Sequence, residues 1–265
     1  MTVHLPVLVA PDSFGGDLRA PIVAAAIARG LERAGVTPLP ELCPVSSGGR
    51  GTIEALLPAL GGETGDGFAL IEDGGTAIVE LDASPELTAA RMAAAAAGGA
   101  EVVLLAAVAS ASASASASSM RYPGNDGGPL LAALAEHGGV GAAALVVLCD
   151  VRAPGALAQR LRDEAGARLV AGGPFVLEAL GFDARMRAAR AVIVGEGRLE
   201  RATLRGRVTG EIATRARQSG VPCHAVTGTD AIDRFDARIL DLQAIVEAAT
   251  IAQLEAAGEA LAGYL

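Results

Sequence analysis

A carboxylate flanked by two glycines follows a short apolar run late in the sequence. The run Ala191–Val194 predicts a buried strand, and Gly195, Glu196 and Gly197 come directly after it. The residues that follow are rich in arginine and include one threonine hydroxyl: Arg198, Arg201, Thr203, Arg205 and Arg207. In phosphoryl transfer a protein mainly positions groups and neutralises charge, so acids here could hold a metal ion and arginines phosphate. A solvated charged loop at the end of a sheet would explain the same residues.

Two loops in the first part of the chain have a similar pattern of strand, polar turn and helix. Asp12 and Ser13 follow a predicted strand, and Asp12 could contact a metal-bound phosphate, accept a hydroxyl proton, or only form a turn. The second loop, Pro44–Thr52, precedes a predicted helix, whose N-terminus favours anions, and Arg50 adds further donors. Glycines there let the backbone approach an anion closely. The candidate residues of this loop are Ser47, Gly48, Gly49, Arg50 and Gly51. A flexible turn is the alternative.

Two acidic turns in the middle of the chain carry weaker signals. Asn125 and Asp126 stand before two glycines, which is typical of a turn, although a role in binding remains open. Asp150 follows the predicted strand Ala144–Cys149, and spacing does not distinguish a ligand-binding group from a helix cap. In open α/β sheets ligands bind at the carboxyl ends of parallel strands, which is where these loops are expected.

Composition excludes several classes of function. The net charge is −9 and aromatic residues make up 3% of the chain, which argues against nucleic-acid binding. All 21 basic residues are arginine, so no lysine can clamp phosphate or form a Schiff base. The three histidines lack metal-ligand spacing, and the three cysteines are expected to be reduced and buried. Without a signal peptide or a long apolar span, we expect a soluble, cytoplasmic protein.

The alternation of apolar runs with alanine-rich segments predicts an α/β fold around a mostly parallel sheet. The predicted strands are Val3–Ala10, Val102–Val108, Ala144–Cys149, Ala191–Val194 and Cys223–Val226. The predicted helices are Ala20–Ala34, Thr52–Leu60, Leu87–Ala97, Pro129–His137, Gly210–Ser219 and Ile251–Tyr264. Two β-rich runs around Asp73 predict a hairpin, which suggests a second domain from residue 62. The repeat Ser110–Ser119 is of low complexity and suggests a surface loop without a function of its own.

Several of these segments together resemble the bacterial glycerate kinase family. They are VLVAPDSFGGDLRAPIVAAAIARGL, PVSSGGRGTIEALL, GTAIVELDAS, NDGG, CDVRAPG and AVIVGEGRLERATLRGR with GVPCHAVTG, in the order of the family. The resemblance implies a Rossmann-like domain built from both chain ends, 1–61 and 188–265, and a smaller inserted domain, 62–187. It also implies ATP-dependent, magnesium-dependent phosphorylation of glycerate or a similar hydroxy acid. A homodimer is left open.

The resemblance assigns roles to the candidate residues. Asp12, Glu196 and Arg198 would be catalytic, and Glu196 with Glu200 would hold magnesium. The substrate and nucleotide would contact Ser13, Ser47, Gly48, Gly49, Arg50, Gly51, Asn125, Asp126, Asp150, Gly195, Gly197, Glu200 and Thr203.

The sequence departs from the family at several of its motif positions. Gly15 replaces a lysine, Ser47 an aspartate and Arg50 a glutamate, while Arg207 stands where the family has a lysine after glycine. These changes leave two hypotheses about the function open. One is a working kinase, and the other is a family member that binds an anionic metabolite, a nucleotide or a partner protein without turnover.

Overall fold

The computed structural model describes residues 5–65, 67–71, 74–108 and 126–265. By their contacts they form two units. The first unit combines residues up to 47 with 177–265, and the second is 48–176. The two ends of the chain therefore fold together, as the resemblance implies. The exact domain limits expected from sequence, 61/62 and 187/188, stay a prediction.

The first unit is built on a five-stranded sheet in which every neighbouring pair is parallel. Its strands are β1 (Val7–Pro11), β2 (Glu41–Leu42), β9 (Ala191–Glu196), β10 (Cys223–Thr227) and β11 (Leu242–Glu247), in the spatial order β11-β10-β9-β1-β2. Its helices are α1 (Ala20–Arg33), α7 (Phe182–Arg187), α8 (Val208–Ser219), α9 (Arg234–Leu240) and α10 (Ile251–Leu261), with 3-10 turns at Arg201–Arg205 and Ala262–Tyr264. Every residue of β1, β9 and β10 is buried, as expected for parallel strands covered on both faces.

Helices α1 and α10 pack closely because glycine faces backbone on both sides of their contact. A Cβ atom on Gly30 would lie 1.9 Å from the Glu255 carbonyl oxygen, and one on Gly258 would lie 2.2 Å from that of Ile27. Arg29 and Arg33 pair with the Glu255 carboxylate at 2.7 and 2.8 Å along the same contact. This helix pair covers an aliphatic core that includes Val7 and Val9 of β1, and so supports the strand that carries Asp12.

The second unit contains a six-stranded mixed sheet. Its strands are β3 (Gly62–Gly65), β4 (Phe68–Ile71), β5 (Thr76–Glu80), β6 (Val102–Ala106), β7 (Ala144–Cys149) and β8 (Arg168–Ala171), which lie side by side in chain order. Its helices are α2 (Thr52–Leu60), α3 (Pro85–Ala97), α4 (Gly128–Glu136) and α5 (Ala156–Ala165). A further helix, α6 (Gly172–Ala179), runs across the division between the units. Strands β4 and β5 pair antiparallel, which confirms the predicted hairpin, while Asp73 lies outside the described residues.

The α/β class and its parallel strands are confirmed. All the predicted strands and helices occur, with ends that differ by a few residues, and residues 3 and 4 of the first strand lie outside the described part. The elements that sequence patterns did not predict are short or half-exposed: β2, β3, β8, β11, α5, α6, α7 and α9. The three cysteines are free and buried, as predicted. No helix among the described residues is long and apolar enough to span a membrane.

Candidate functional site

Two acidic residues lie side by side at the carboxyl edge of the first sheet. Asp12 follows β1, and Glu196 is the last residue of β9. The two strands are parallel neighbours in which Pro11 pairs with Gly195, and the Asp12 amide donates to the Gly195 carbonyl oxygen at 2.8 Å. Strand pairing therefore brings together two carboxyl groups that are far apart in the sequence, at the sheet edge where ligands bind in this class of fold.

The Asp12 carboxylate is half-buried and has a hydrogen bond on each oxygen. Its Oδ1 accepts from the Ser13 amide at 2.7 Å, and its Oδ2 accepts from the Ser47 hydroxyl at 2.9 Å. Burial raises the pKa of Asp12 from its ordinary 3.8 to about 6, although these hydrogen bonds oppose the rise. Asp12 therefore exchanges its proton much nearer to neutral pH than an exposed aspartate does.

The Glu196 carboxylate lies deeper, and the residue is only 2% exposed. Its Oε1 accepts from the Thr203 hydroxyl at 2.6 Å, and its Oε2 pairs with Arg207 at 3.2 Å. Burial raises the pKa of Glu196 from 4.5 to about 7; Thr203 and Arg207 oppose the rise, and the charge of Asp12 adds to it. Adjacent carboxyl groups with raised pKa values are suited to accept or hold a proton near neutral pH.

Arg207 joins the two acids of the GEGRLE segment. Its Nη1 lies 3.2 Å from Glu196 Oε2, and its Nη2 lies 2.9 Å from Glu200 Oε1. The other Glu200 oxygen, Oε2, pairs with Arg198 at 3.2 Å. The sequence predicted Arg207 only as one of several arginines that could contact phosphate. Its place after Gly206, where the family has lysine, was the signal for a more specific role.

Ser47 links the loop after β2 to the start of α8. Its hydroxyl donates to Asp12, and its oxygen accepts from the Val208 amide, the first of α8, at 3.2 Å. The residue before the helix, Arg207, provides no side-chain cap, so Ser47 supplies one from a distant part of the sequence. An ionised aspartate at this position, where the family has aspartate, could accept from the helix but could not donate to Asp12.

The two glycines around Glu196 allow the loops of this edge to approach each other. A Cβ atom on Gly197 would lie 2.6 Å from the Phe14 carbonyl oxygen, and one on Gly195 would lie 3.0 Å from both Phe14 and Pro11 side-chain atoms. The contacts therefore explain both glycines by close packing.

Thr203 organises the turn that follows Glu196. The residue is fully buried within the 3-10 turn Arg201–Arg205, and its oxygen accepts from the Glu200 amide at 3.2 Å while its hydroxyl donates to Glu196. The two other arginines singled out in this stretch, Arg201 and Arg205, are exposed.

In the second unit, the loop before α2 already holds a carboxylate of the protein. Glu80, at the end of β5, accepts from the amides of Gly51 and Ile53 with the same oxygen, Oε1, at 3.0 and 2.9 Å. Burial raises the pKa of Glu80, and these two amides oppose the rise. The N-terminus of α2, which we predicted as an anion site, is therefore capped by Glu80, while Arg50 is exposed.

Gly48 and Gly49 of the same loop lie against neighbouring backbone. A Cβ atom on Gly49 would lie 1.9 Å from the Val108 carbonyl oxygen, and one on Gly48 would lie 2.6 Å from Gly172 Cα. Close packing within the second unit therefore accounts for these glycines without a ligand.

The remaining candidates of the second unit form turns. Asp126 accepts from the Gly128 amide at 3.1 Å and pairs with Arg160 at 2.7 Å. Asp150 accepts from the Arg152 amide at 3.0 Å. Asn125 lies outside the described residues. These contacts give both aspartates a structural role, and their role in binding stays a prediction.

The donor set does not form a ready magnesium site. No group of three or more histidine, cysteine, aspartate or glutamate side chains that could hold a metal ion occurs in the described ranges. Glu196 and Glu200, the predicted ligands, have the Arg207 guanidinium between them. A cation held by both carboxylates would meet this positive charge, so we derive no step through an ion held by the protein.

The chain is similar to known proteins both in sequence and in fold. The sequence matches the model of the glycerate kinase family over residues 7–103 and 135–262. The structure is similar to the crystal structure of putative glycerate kinase 2 from Salmonella typhimurium LT2, with a TM-score of 0.63 and 18% sequence identity, over 98% of this chain and 96% of that one. At this identity the likeness shows the fold alone. No curated protein matches the sequence significantly.

Proposed function

Because the chain belongs to the glycerate kinase family, we propose that it transfers phosphate from ATP to a hydroxyl group of glycerate or a similar small hydroxy acid. Magnesium would enter with the nucleotide, as MgATP, and would neutralise charge on the phosphates. A cytoplasmic location, where ATP is abundant, belongs to the same proposal.

The observation that carries this proposal is the pair Asp12 and Glu196 at the carboxyl edge of the parallel sheet. The pKa values of the two groups are raised to about 6 and about 7. Glu196 pairs with Arg207, and Asp12 is linked through the Ser47 hydroxyl to the start of α8. Phosphoryl transfer to a hydroxyl group needs a group that accepts the hydroxyl proton and positive charge that stabilises the phosphate. This edge of the first sheet contains both.

We assign the proton-accepting role to Asp12. It is half-buried, so a substrate hydroxyl can reach it, whereas Glu196 is 2% exposed. The Ser47 hydroxyl fixes the orientation of the Asp12 carboxylate. Glu196 would act through its neighbours, since it holds Thr203 and Arg207 in place.

Arginine side chains of the same edge would bind the phosphate groups. The Arg198 side chain is 44% exposed and the Arg207 side chain 22% exposed, so both can be reached from solvent. Arginine suits this task because its planar guanidinium offers several donors to phosphate oxygens. Arg50 belongs to the second unit, and its predicted role in anion binding stays a prediction for its own loop.

The experiment that tests the proposal is a coupled ADP-release assay with MgATP and D-glycerate. We expect turnover in the wild type and a loss of about 100-fold or more in kcat for Asp12→Asn, which cannot accept the proton. Asp17→Asn is the matched control, since Asp17 is an exposed acid of the same loop, and its kcat should equal that of the wild type. Equal turnover in both variants would contradict the role of Asp12, and no turnover in the wild type would contradict the proposed reaction.

A binding function without turnover is favoured by one observation. Both oxygens of Asp12 and of Glu196 already have partners within the chain, and one partner of Asp12 is Ser47, a serine where the family has an aspartate. Ser47→Asp separates the two functions. A carboxylate at this position would repel Asp12, so we expect a working kinase to lose about tenfold in kcat. A degenerate kinase would gain turnover from the same change, because a family residue is restored.

Calorimetric titration with MgATP and with D-glycerate completes this test. Binding of either ligand without ADP release would support the binding function over the kinase.

A further inference from the structure

Arg207 contacts three partners within the segment that follows β9. Its Nη1 lies 3.2 Å from Glu196 Oε2 and 3.4 Å from the Arg198 carbonyl oxygen, and its Nη2 lies 2.9 Å from Glu200 Oε1. With a side chain only 22% exposed, the guanidinium is fixed between two carboxylates. A planar fork with two nitrogen donors fits this bridging position, whereas a lysine ammonium is a single point of charge.

The four carboxylate oxygens around Arg207 are all engaged. Glu196 contacts the Thr203 hydroxyl through Oε1 and Arg207 through Oε2, and Glu200 contacts Arg207 through Oε1 and Arg198 through Oε2. A magnesium ion bound by the same oxygens would need to approach them to about 2.1 Å, against two guanidinium groups. Charge repulsion and the existing hydrogen bonds both oppose such an ion.

We propose that Arg207 takes the place of a protein-held divalent cation between Glu196 and Glu200. The guanidinium supplies the positive charge that keeps these two carboxylates together, so the nucleotide-free chain binds no magnesium there. This inference rests on the proposed function, because it takes the carboxyl edge of the first sheet as a phosphoryl-transfer site. It adds that the metal ion of this site arrives with the nucleotide. In the nucleotide-free chain, Arg207 thus positions Glu196 and Glu200.

The test is a titration of the nucleotide-free chain with Mn²⁺, a substitute for Mg²⁺ that can be followed by electron paramagnetic resonance. We expect no tightly bound Mn²⁺ in the wild type. Arg207→Gln frees one oxygen on each carboxylate and removes the charge, so it should gain one Mn²⁺ per chain with an affinity at least about tenfold higher than that of the wild type. Adding Glu200→Gln to this variant should abolish the gain.

Two further variants control for charge and folding. Arg205→Gln removes an exposed arginine of the same loop and should bind Mn²⁺ as the wild type does. Arg207→Lys keeps a positive charge and should show no new Mn²⁺ site. Circular dichroism checks that each variant folds.

Two results would overturn the inference. One is a tight Mn²⁺ site in the nucleotide-free wild type that Glu200→Gln removes, and this measurement decides even if Arg207→Gln fails to fold. The other is a folded Arg207→Gln variant that gains no Mn²⁺ affinity. Neither measurement needs turnover, so failure of the proposed reaction in the ADP-release assay remains a separate result.

Discussion

The carboxyl edge of the first sheet and the loop before α2 in the second unit contain similar residues, but these residues make different contacts. Both combine glycines, an acid and an arginine next to a helix N-terminus. In the second unit, the Glu80 carboxylate accepts from two amides at the start of α2, and Arg50 is exposed. In the first unit, the start of α8 is capped by the Ser47 hydroxyl, which also donates to the half-buried Asp12 carboxylate. The buried Glu196 carboxylate pairs with Arg207, the residue before α8.

The N-terminus of α2 is capped by a carboxylate of the protein, whereas the edge of the first sheet has carboxyl groups that could take part in a reaction. A carboxylate that satisfies amides of its own unit leaves those amides no further capacity for an anion. Neither Asp12 nor Glu196 caps a helix: Asp12 accepts from the Ser13 amide and the Ser47 hydroxyl, and Glu196 accepts from Thr203 and pairs with Arg207. The pKa values of both acids lie near neutrality. A glycine-rich loop before a helix therefore says little about ligand binding until the partner of the helix N-terminus is known.

The largest effect on activity is expected from Glu196→Gln, at the edge of the first sheet. The amide keeps the shape and can still accept from Thr203, but it loses the ion pair with Arg207 and the charge beside Asp12. We expect kcat for ADP release to fall by about 100-fold with a KM for MgATP changed much less. Glu63→Gln, on the exposed strand β3, is the control. A fall in both variants alike would show that the loss has nothing to do with the site.

The second prediction concerns the pH dependence of stability. The pKa values of Asp12 and Glu196 rise on folding, from 3.8 to about 6 and from 4.5 to about 7, so the folded chain keeps protons that the unfolded chain releases. Their contribution to the free energy of unfolding is therefore full below about pH 4 and is lost as the pH rises to about 7. Urea unfolding at pH 5 and pH 7.5 should show a smaller loss for Glu196→Gln than for the wild type. Parallel losses would mean that Glu196 does not change its pKa on folding.

The smallest effect is expected in the second unit, from Glu80→Ala. The change leaves the Gly51 and Ile53 amides without the carboxylate that caps α2, which should cost about 1–2 kcal/mol of unfolding free energy. Chemical denaturation measures the loss, with Glu63→Ala as the control. If the loop serves only as a cap, kcat should stay unchanged. A variant that is equally stable but binds phosphate newly would identify Glu80 as an occupant that an anion can replace.

The features predicted best from the sequence are those that a local pattern of residues determines. The mostly apolar runs of β1, β9 and β10 indicated buried strands of a parallel sheet. The resemblance carried by APDSF and GEGRL is confirmed by the match to the glycerate kinase family. The half-exposed strand β11 has no comparable run, because Gln243 interrupts its apolar residues. The seven-residue helix α9 is too short to show a clear helical period.

The residues of the candidate site likewise differ in whether a local sequence pattern could identify them. Asp12 and Glu196 could be chosen from sequence because each acid directly follows an apolar strand. Glu80 could not, because an acid at the end of one strand gives no sign that it will cap a helix that begins 28 residues earlier, at Thr52. The role of Arg207 likewise depends on two carboxylates meeting one guanidinium, which is a matter of side-chain geometry.

The sequence by itself determined the α/β class, the family, and the placement of acids after buried strands, because hydrophobic periodicity and motif order are local properties of the chain. Only the tertiary structure decided which charges meet. Strand pairing set Asp12 beside Glu196, and burial there raised their pKa values. Folding also paired Arg207 with both Glu196 and Glu200, and it capped α2 with Glu80. The strength of each charge depends on burial and on its partners, and neither is fixed before the chain folds.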